Sequence, residues 1–162
     1  MKRIVALVVL AAAALAAWHW FFSDERAIRS RLGGLADTLS MPANTTDIAR
    51  VTRLAGLRRY FADDVHVRLG GQEVTSRDSL LALVSGWVPP PGGVTVEFVD
   101  VQVTVDPDGA AAHVYLTAKV TGQDARTGET TIDAREANLT MSRREGDWVL
   151  SSAESEETLR KP

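Results

Sequence analysis

The chain has 162 residues, 45% hydrophobic and 24% charged, with a formal charge of -3 and no cysteine. The acidic excess, larger still without Lys2 and Arg3, excludes a nucleic-acid binder built on clustered positive charge. The missing cysteine excludes disulfides, thiol nucleophiles, CxxCH haem attachment, cysteine zinc sites and a lipid-modified N-terminal cysteine, and the length allows one domain plus an appendage.

Behind Lys2 and Arg3 runs an apolar stretch from Ile4 to Phe22. As a helix it would be roughly 28 Å long, close to the thickness of a bilayer's hydrocarbon core. Ala14-Leu15-Ala16 fits a signal-peptidase site. Cleavage there would leave a tail beginning AWHWFF, whereas an uncleaved anchor uses Trp18, His19 and Trp20 as an interfacial belt. The expectation is a transmembrane signal-anchor over 1–22, with the positive end in the cytoplasm. The rest of the chain would then face the periplasm or cell exterior from a bacterial inner membrane.

From Asp24 to about Ser40, Ile28, Leu32, Leu35, Ala36 and Leu39 recur at helical spacing, with Ser23 placed to cap and Gly33-Gly34 as a weak point. Met41 to Asn44 breaks that helix, and Thr45 or Thr46 caps the next. Its predicted buried stripe is Ile48, Val51, Leu54 or Ala55, Leu57 and Phe61, ending at Asp63-Asp64. Val65 to Leu69 alternates as a short strand, Gly70-Gly71 turns it, and Gln72 to Thr75 pairs back as a hairpin. Ser76 opens a third helix, Arg77 to about Trp87, which the run of prolines after Val88 stops.

Val94 to Val105 is a long period-2 strand whose phase changes once. Val94, Val96 and Phe98 share one parity and Val99, Val101, Val103 and Val105 the other, which predicts a β-bulge at Phe98-Val99 and a strongly bent sheet. Asp106-Pro107-Asp108-Gly109 turns the chain. A second strand follows over Ala110 to Thr121, a third over Thr130 to Arg143, and a last over Trp148 to about Ala153. The tail, 155–162, is charged.

The order ααββαββββ resembles that of the nuclear transport factor 2-like, or SnoaL-like, superfamily. The local likeness rests on LRRYFADDVHV at Leu57 to Val67 and on REGDWVL at Arg144 to Leu150. The resemblance implies an α+β, cystatin-like cone over 23–154: three helices packed on a strongly curved antiparallel sheet, with a pocket at its open end. It also implies a homodimer across the outer face of the sheet, at His113, Tyr115 and Thr117. Pocket residues would be Tyr60, Phe61, Trp87, Phe98, Asp133 and Arg135.

Enzymes of this superfamily use a carboxylate or a His-carboxylate pair in the cone. The candidates here are Asp64 or Asp133 as base and Tyr60 as polariser. His66 alternates out of phase with Val65 and Val67 and is expected to point outward. Asp133 and Arg135 would point inward on an unbroken strand, since they share parity with Leu139 and Met141. A second bulge near Arg135-Glu136 would instead bury Ile132 and Ala134 and release both charges to water, and it is the expected arrangement because it avoids desolvating them. No cofactor is implied, and His66 and His113 lack ligand-spaced partners for a metal. The expected function is therefore a membrane-anchored binding or scaffold domain, leaning away from catalysis, with an envelope protein complex or a small apolar ligand as partner. An isomerase, dehydratase or hydrolase, or a lipid binder, is the alternative.

Overall fold

The structure, a computed structural model, describes residues 2–124 and 126–155; for residues 2–8, 13–14 and 16–22 it describes the backbone alone. Helix α1 runs unbroken from Lys2 to Leu39, through the point where Ser23 was expected to start a new helix. No proline interrupts the stretch, so continuing the helix costs less than nucleating a second one. Ile28, Leu32, Leu35 and Ala36 are buried at the expected spacing, and the helix packs across the sheet. The expected anchor lies mostly in residues whose side chains are outside the described ones. Among the described residues, no helix is long and apolar enough to cross a membrane.

Strand β1, Met41–Pro42, is too short to be foreseen and pairs with Gly93 and Val94. Gly93 is required there: its φ is 89°, and a Cβ would lie 2.7 Å from both Met41 O and Ala43 N. Helix α2, Asp47–Leu57, is capped by Thr46, whose hydroxyl accepts from Ala49 N at 3.2 Å. Its burial is concentrated at the C-terminal end, where Leu57 is inside and Leu54 packs against the core. Ile48 and Val51, expected in the buried stripe, are 82% and 62% exposed.

A single 3-10 turn, Arg58–Tyr60, leads into β2, Phe61–Leu69, so Phe61 is a strand residue rather than the last of a helix. Val65 and Val67 are buried and His66 is exposed, as the alternation requires. Strand β3, Gln72–Val74, closes the hairpin, and Ser76 caps α3, Arg77–Gly86. Strands β4 (Gly93–Val105), β5 (Ala111–Gln123), β6 (Thr130–Arg144) and β7 (Asp147–Ser155) form the meander.

The sheet order is β1-β4-β5-β6-β7-β2-β3, with β2 parallel to β7 and every other pair antiparallel. The sheet is thus mixed, not antiparallel throughout. The β2–β3 hairpin covers the edge that β7 would otherwise leave open.

The bulge in β4 exists two residues beyond its expected place. Val99 pairs with Thr117 and Gln102 with Tyr115, so Asp100 and Val101 together oppose Leu116. Asp100 takes the left-handed conformation, φ 54°, that a bulge of this kind demands. Phe98, Val101, Val103 and Val105 therefore pack on the core, while Val99 faces outward at 38% exposure.

The second expected bulge is absent. The β5–β6 register runs without a shift from Ala111↔Ser142 to Gln123↔Thr130. Asp133 and Arg135 thus share the inner face with Ala137, Leu139 and Met141, and Ile132 is left 60% exposed on the other face. The extra residue sits instead in β7, where Ser151 is skipped between Leu150↔Met141 and Ser152↔Thr140.

Candidate ligand-binding site

The bent sheet and the helices laid across it enclose a cavity of about 280 Å³. The helical wall supplies Leu35, Leu39, Leu80 and Val84, each placed by its helical spacing. Phe61, Phe98, Leu116, Ala118, Val120 and Leu139 on the sheet complete a surface almost without polar atoms. The volume lies just below the usual range for small-molecule sites.

The polar groups are at the rim. Arg135 Nε donates to Asp133 Oδ2 at 3.1 Å, with the two side chains 49% and 59% exposed. Their inward direction therefore costs little desolvation, because the first half of β6 lies at the open end. Glu154, also on the rim, is held by Arg68 at 2.7 Å.

Of the residues expected in the pocket, Phe61, Phe98, Asp133 and Arg135 line this cavity, and Tyr60 and Trp87 do not. Trp87 is the C-cap of α3 and 45% exposed. Tyr60, the last residue of the 3-10 turn, is buried with the core residues and borders a separate cleft with Arg31, Gly34, Arg59, Asp147 and Trp148. The guanidinium carbons of Arg31 and Arg59 lie 5.0 and 4.9 Å from its ring centroid, and Arg59 donates to its hydroxyl at 2.9 Å. Burial raises the Tyr60 pKa, but hydrogen bonds with Thr38 and Arg59 and the charges of both arginines outweigh it and hold it below the ordinary tyrosine value. Asp64 is exposed on β2, 3.6 Å from Arg144, and lines a further cleft with Arg58, Asp63 and Arg77. The structure therefore separates Asp133 from Asp64 and Tyr60.

His113 and Tyr115 line a shallow polar groove on the convex face with Gln102, Thr104 and Asn138. His113 Nε2 stands 3.7 Å from Asp106 Oδ1. Among the described residues, no three His, Asp or Glu side chains come close enough to hold a metal ion. Sequence alone did not foresee the convergence of Arg31 and Arg59 on Tyr60. The arginines were visible only as polar faces of two helices, and no local pattern says that those faces meet.

Solved structures of similar architecture set this arrangement in context. One, from Novosphingobium aromaticivorans, is described as a nuclear transport factor 2-like protein with a cystatin-like fold. It shares 16% identity over 91% of this chain and 90% of its own, with a TM-score of 0.70. A scytalone dehydratase-like protein from the same organism has 15% identity over 85% and 86%, with a TM-score of 0.65. The association domain of the C. elegans CaMKII has 17% identity over 68% and 93%, with a TM-score of 0.52. At such identities the likeness shows the fold alone. No curated protein matches the sequence. The family model for the SnoaL-like domain matches residues 49–154, and the chain belongs to that family.

Proposed function

We propose that this chain is a non-catalytic binding domain that takes a small apolar molecule into the cone. The observation that carries this is the cavity of about 280 Å³ with its largely apolar lining, whose charged groups among the described residues sit at the rim in ion pairs, Asp133 with Arg135 and Glu154 with Arg68. General acid-base chemistry needs a base within reach of the substrate and a second group to polarise it. His66, His113 and Tyr60 all lie away from the lining, and the charged groups that share it with Asp133, namely Arg135 and Glu154, are already held in ion pairs.

The domain is held at the bacterial inner membrane by the N-terminal part of α1 and faces the periplasm or cell exterior. Support comes from the apolar run Ile4 to Phe22 and from Val9, Leu10 and Leu15, which are 62%, 71% and 70% exposed. A tether of this kind raises the local concentration of the domain for a partner fixed in the envelope. The convex face bearing His113, Tyr115 and Thr117 is the proposed homodimer contact.

One observation favours an enzyme instead: Asp133 points into the cone, against the economy of burying Ile132 and Ala134. Titration of the detergent-solubilised chain with decanol and with naphthalene tests the primary reading. Either probe is expected to raise the thermal midpoint saturably, and Ala118→Trp, which fills the cavity, should abolish the rise. Asp133→Asn should leave it unchanged. Failure of both probes to shift the unmodified chain would overturn the binding role.

A further inference from the structure

Outside the cone, α1, the 3-10 turn, β2 and the β6–β7 turn border an open cleft of about 750 Å³, lined by five guanidiniums and four carboxylates. Three of the guanidiniums are neutralised: Arg77 by Asp63, Arg144 by Asp64 at 3.6 Å, and Arg58 by Asp78 at 3.0 Å. Arg31 and Arg59 form no ion pair among the described residues. Their contacts are the Arg59 carbonyl, which accepts from Arg31, and the hydroxyl and ring of Tyr60. The remaining carboxylates of the cleft, Glu145 and Asp147, are exposed and form no ion pair with either among the described residues. Arg31 Nε is also buried with no acceptor, an N–H that folding has taken from water without replacing its partner.

Two unpaired charges within about 5 Å of one ring centroid repel each other, and a shared anion would turn that repulsion into attraction. Guanidinium forks match the paired oxygens of a tetrahedral oxyanion. We propose that Arg31 and Arg59 form the binding site for a phosphate-type oxyanion, taken either from a phospholipid headgroup or from a free phosphate. Arg31 follows Phe22 by nine residues, roughly 14 Å along α1. That places the pair on the water side of the apolar run, beyond the roughly 5–8 Å headgroup layer for an upright α1, so a headgroup phosphate is met only where α1 leans toward the bilayer.

Tyr60 supplies the readout. Substituting Tyr115→Phe leaves Tyr60 as the only tyrosine, so tyrosinate absorbance of the full chain in dodecyl maltoside micelles, which carry no phosphate, follows one group. Its neighbours are Arg31 and Thr38 of α1, Arg59 of the 3-10 turn and Asp147 of β7. An anion bound between the arginines disfavours the phenolate and should raise the alkaline midpoint by about 0.5–2 units.

Inorganic phosphate, compared with chloride at equal ionic strength, tests the free ligand. Adding phosphatidylglycerol to the micelles, compared with the phosphate-free detergent alone, tests the headgroup. A rise with phosphate assigns a free phosphate, and a rise with phosphatidylglycerol alone assigns the lipid. Arg31→Gln and Arg59→Gln should each remove most of the rise, while Arg68→Gln, at the far end of β2, should keep it. Arg59→Lys retains the charge without the fork; it guards against loss of fold and should give a smaller rise. No rise in either arm, or an equal rise in the Arg31→Gln/Arg59→Gln double variant, would overturn the site.

Discussion

Gly33 and Gly34 stand side by side in α1, yet only Gly34 has a neighbour within reach. A Cβ on Gly33 would meet nothing within 4 Å, whereas one on Gly34 would lie 2.7 Å from the Tyr60 hydroxyl. Gly33→Ala should therefore stabilise the protein by about 0.5–1 kcal/mol through helix propensity. Gly34→Ala should destabilise it by about 1–3 kcal/mol, because a buried ring held by two arginines has to move. Urea unfolding of the two variants checks both signs. Tyr60 itself gives a pH-dependent prediction. Its folded pKa is depressed, so the folded state gives up the proton before the unfolded state does. Stability should then rise with pH between the folded value and the unfolded one and stay flat at neutral pH, where both states are protonated. Tyr60→Phe should remove that alkaline gain, as denaturation across the alkaline range would reveal. The sequence exposed the Gly-Gly pair as a weakness of the helix. That Gly34 makes room for a side chain 26 positions away depends on how α1 lies against the 3-10 turn.

At the scale of the element, the bulge of β4 is where sequence and structure differ by two residues. The period-2 pattern shows that one residue is extra but fixes its place only loosely, since Val99 and Val101 are equally apolar. Backbone conformation decides: Asp100 tolerates φ 54° far better than a β-branched valine would. Asp100→Val should cost about 1–3 kcal/mol, while Asp100→Gly should stay within about 0.5 kcal/mol of the parent, measured by equilibrium unfolding. Strand β6 makes the complementary point. Burying Ile132 and Ala134 looked favourable when the strand was taken alone. Thirteen consecutive pairings with β5 hold the register straight instead, and the inward charges remain wet because they sit at the rim.

The whole molecule has a direction. Asp24 is buried against Arg143 and lies 4.0 Å from where a Cβ on Gly109 would be, at the end of the cone formed by the β4–β5 and β6–β7 turns. Leu39, roughly 22 Å further along α1, lines the cavity near its rim. The mouth therefore opens away from the end where the N-terminal part of α1 departs, and a ligand would reach it from that opposite side. A chain beginning at Ser23 should keep the thermal midpoint of the full chain within about 3 °C, since the core residues described here begin at Ile28. Loss of cooperative unfolding in that truncated chain would show that α1 needs its apolar half to fold.

By itself, the sequence determined the order of the helices and strands other than β1, the phase change in β4, a cap at Thr45 or Thr46, the cap at Ser76 and the core stripe of α1. These depend on periodicity and on contacts within a few residues. Only the tertiary structure decided that α1 is continuous, that β2 runs parallel to β7, that Asp133 and Arg135 face the cone, and that Tyr60 lies away from the cavity lining and against two arginines. Each of those is fixed by pairing or packing between segments far apart in the chain, where the local pattern is compatible with more than one arrangement.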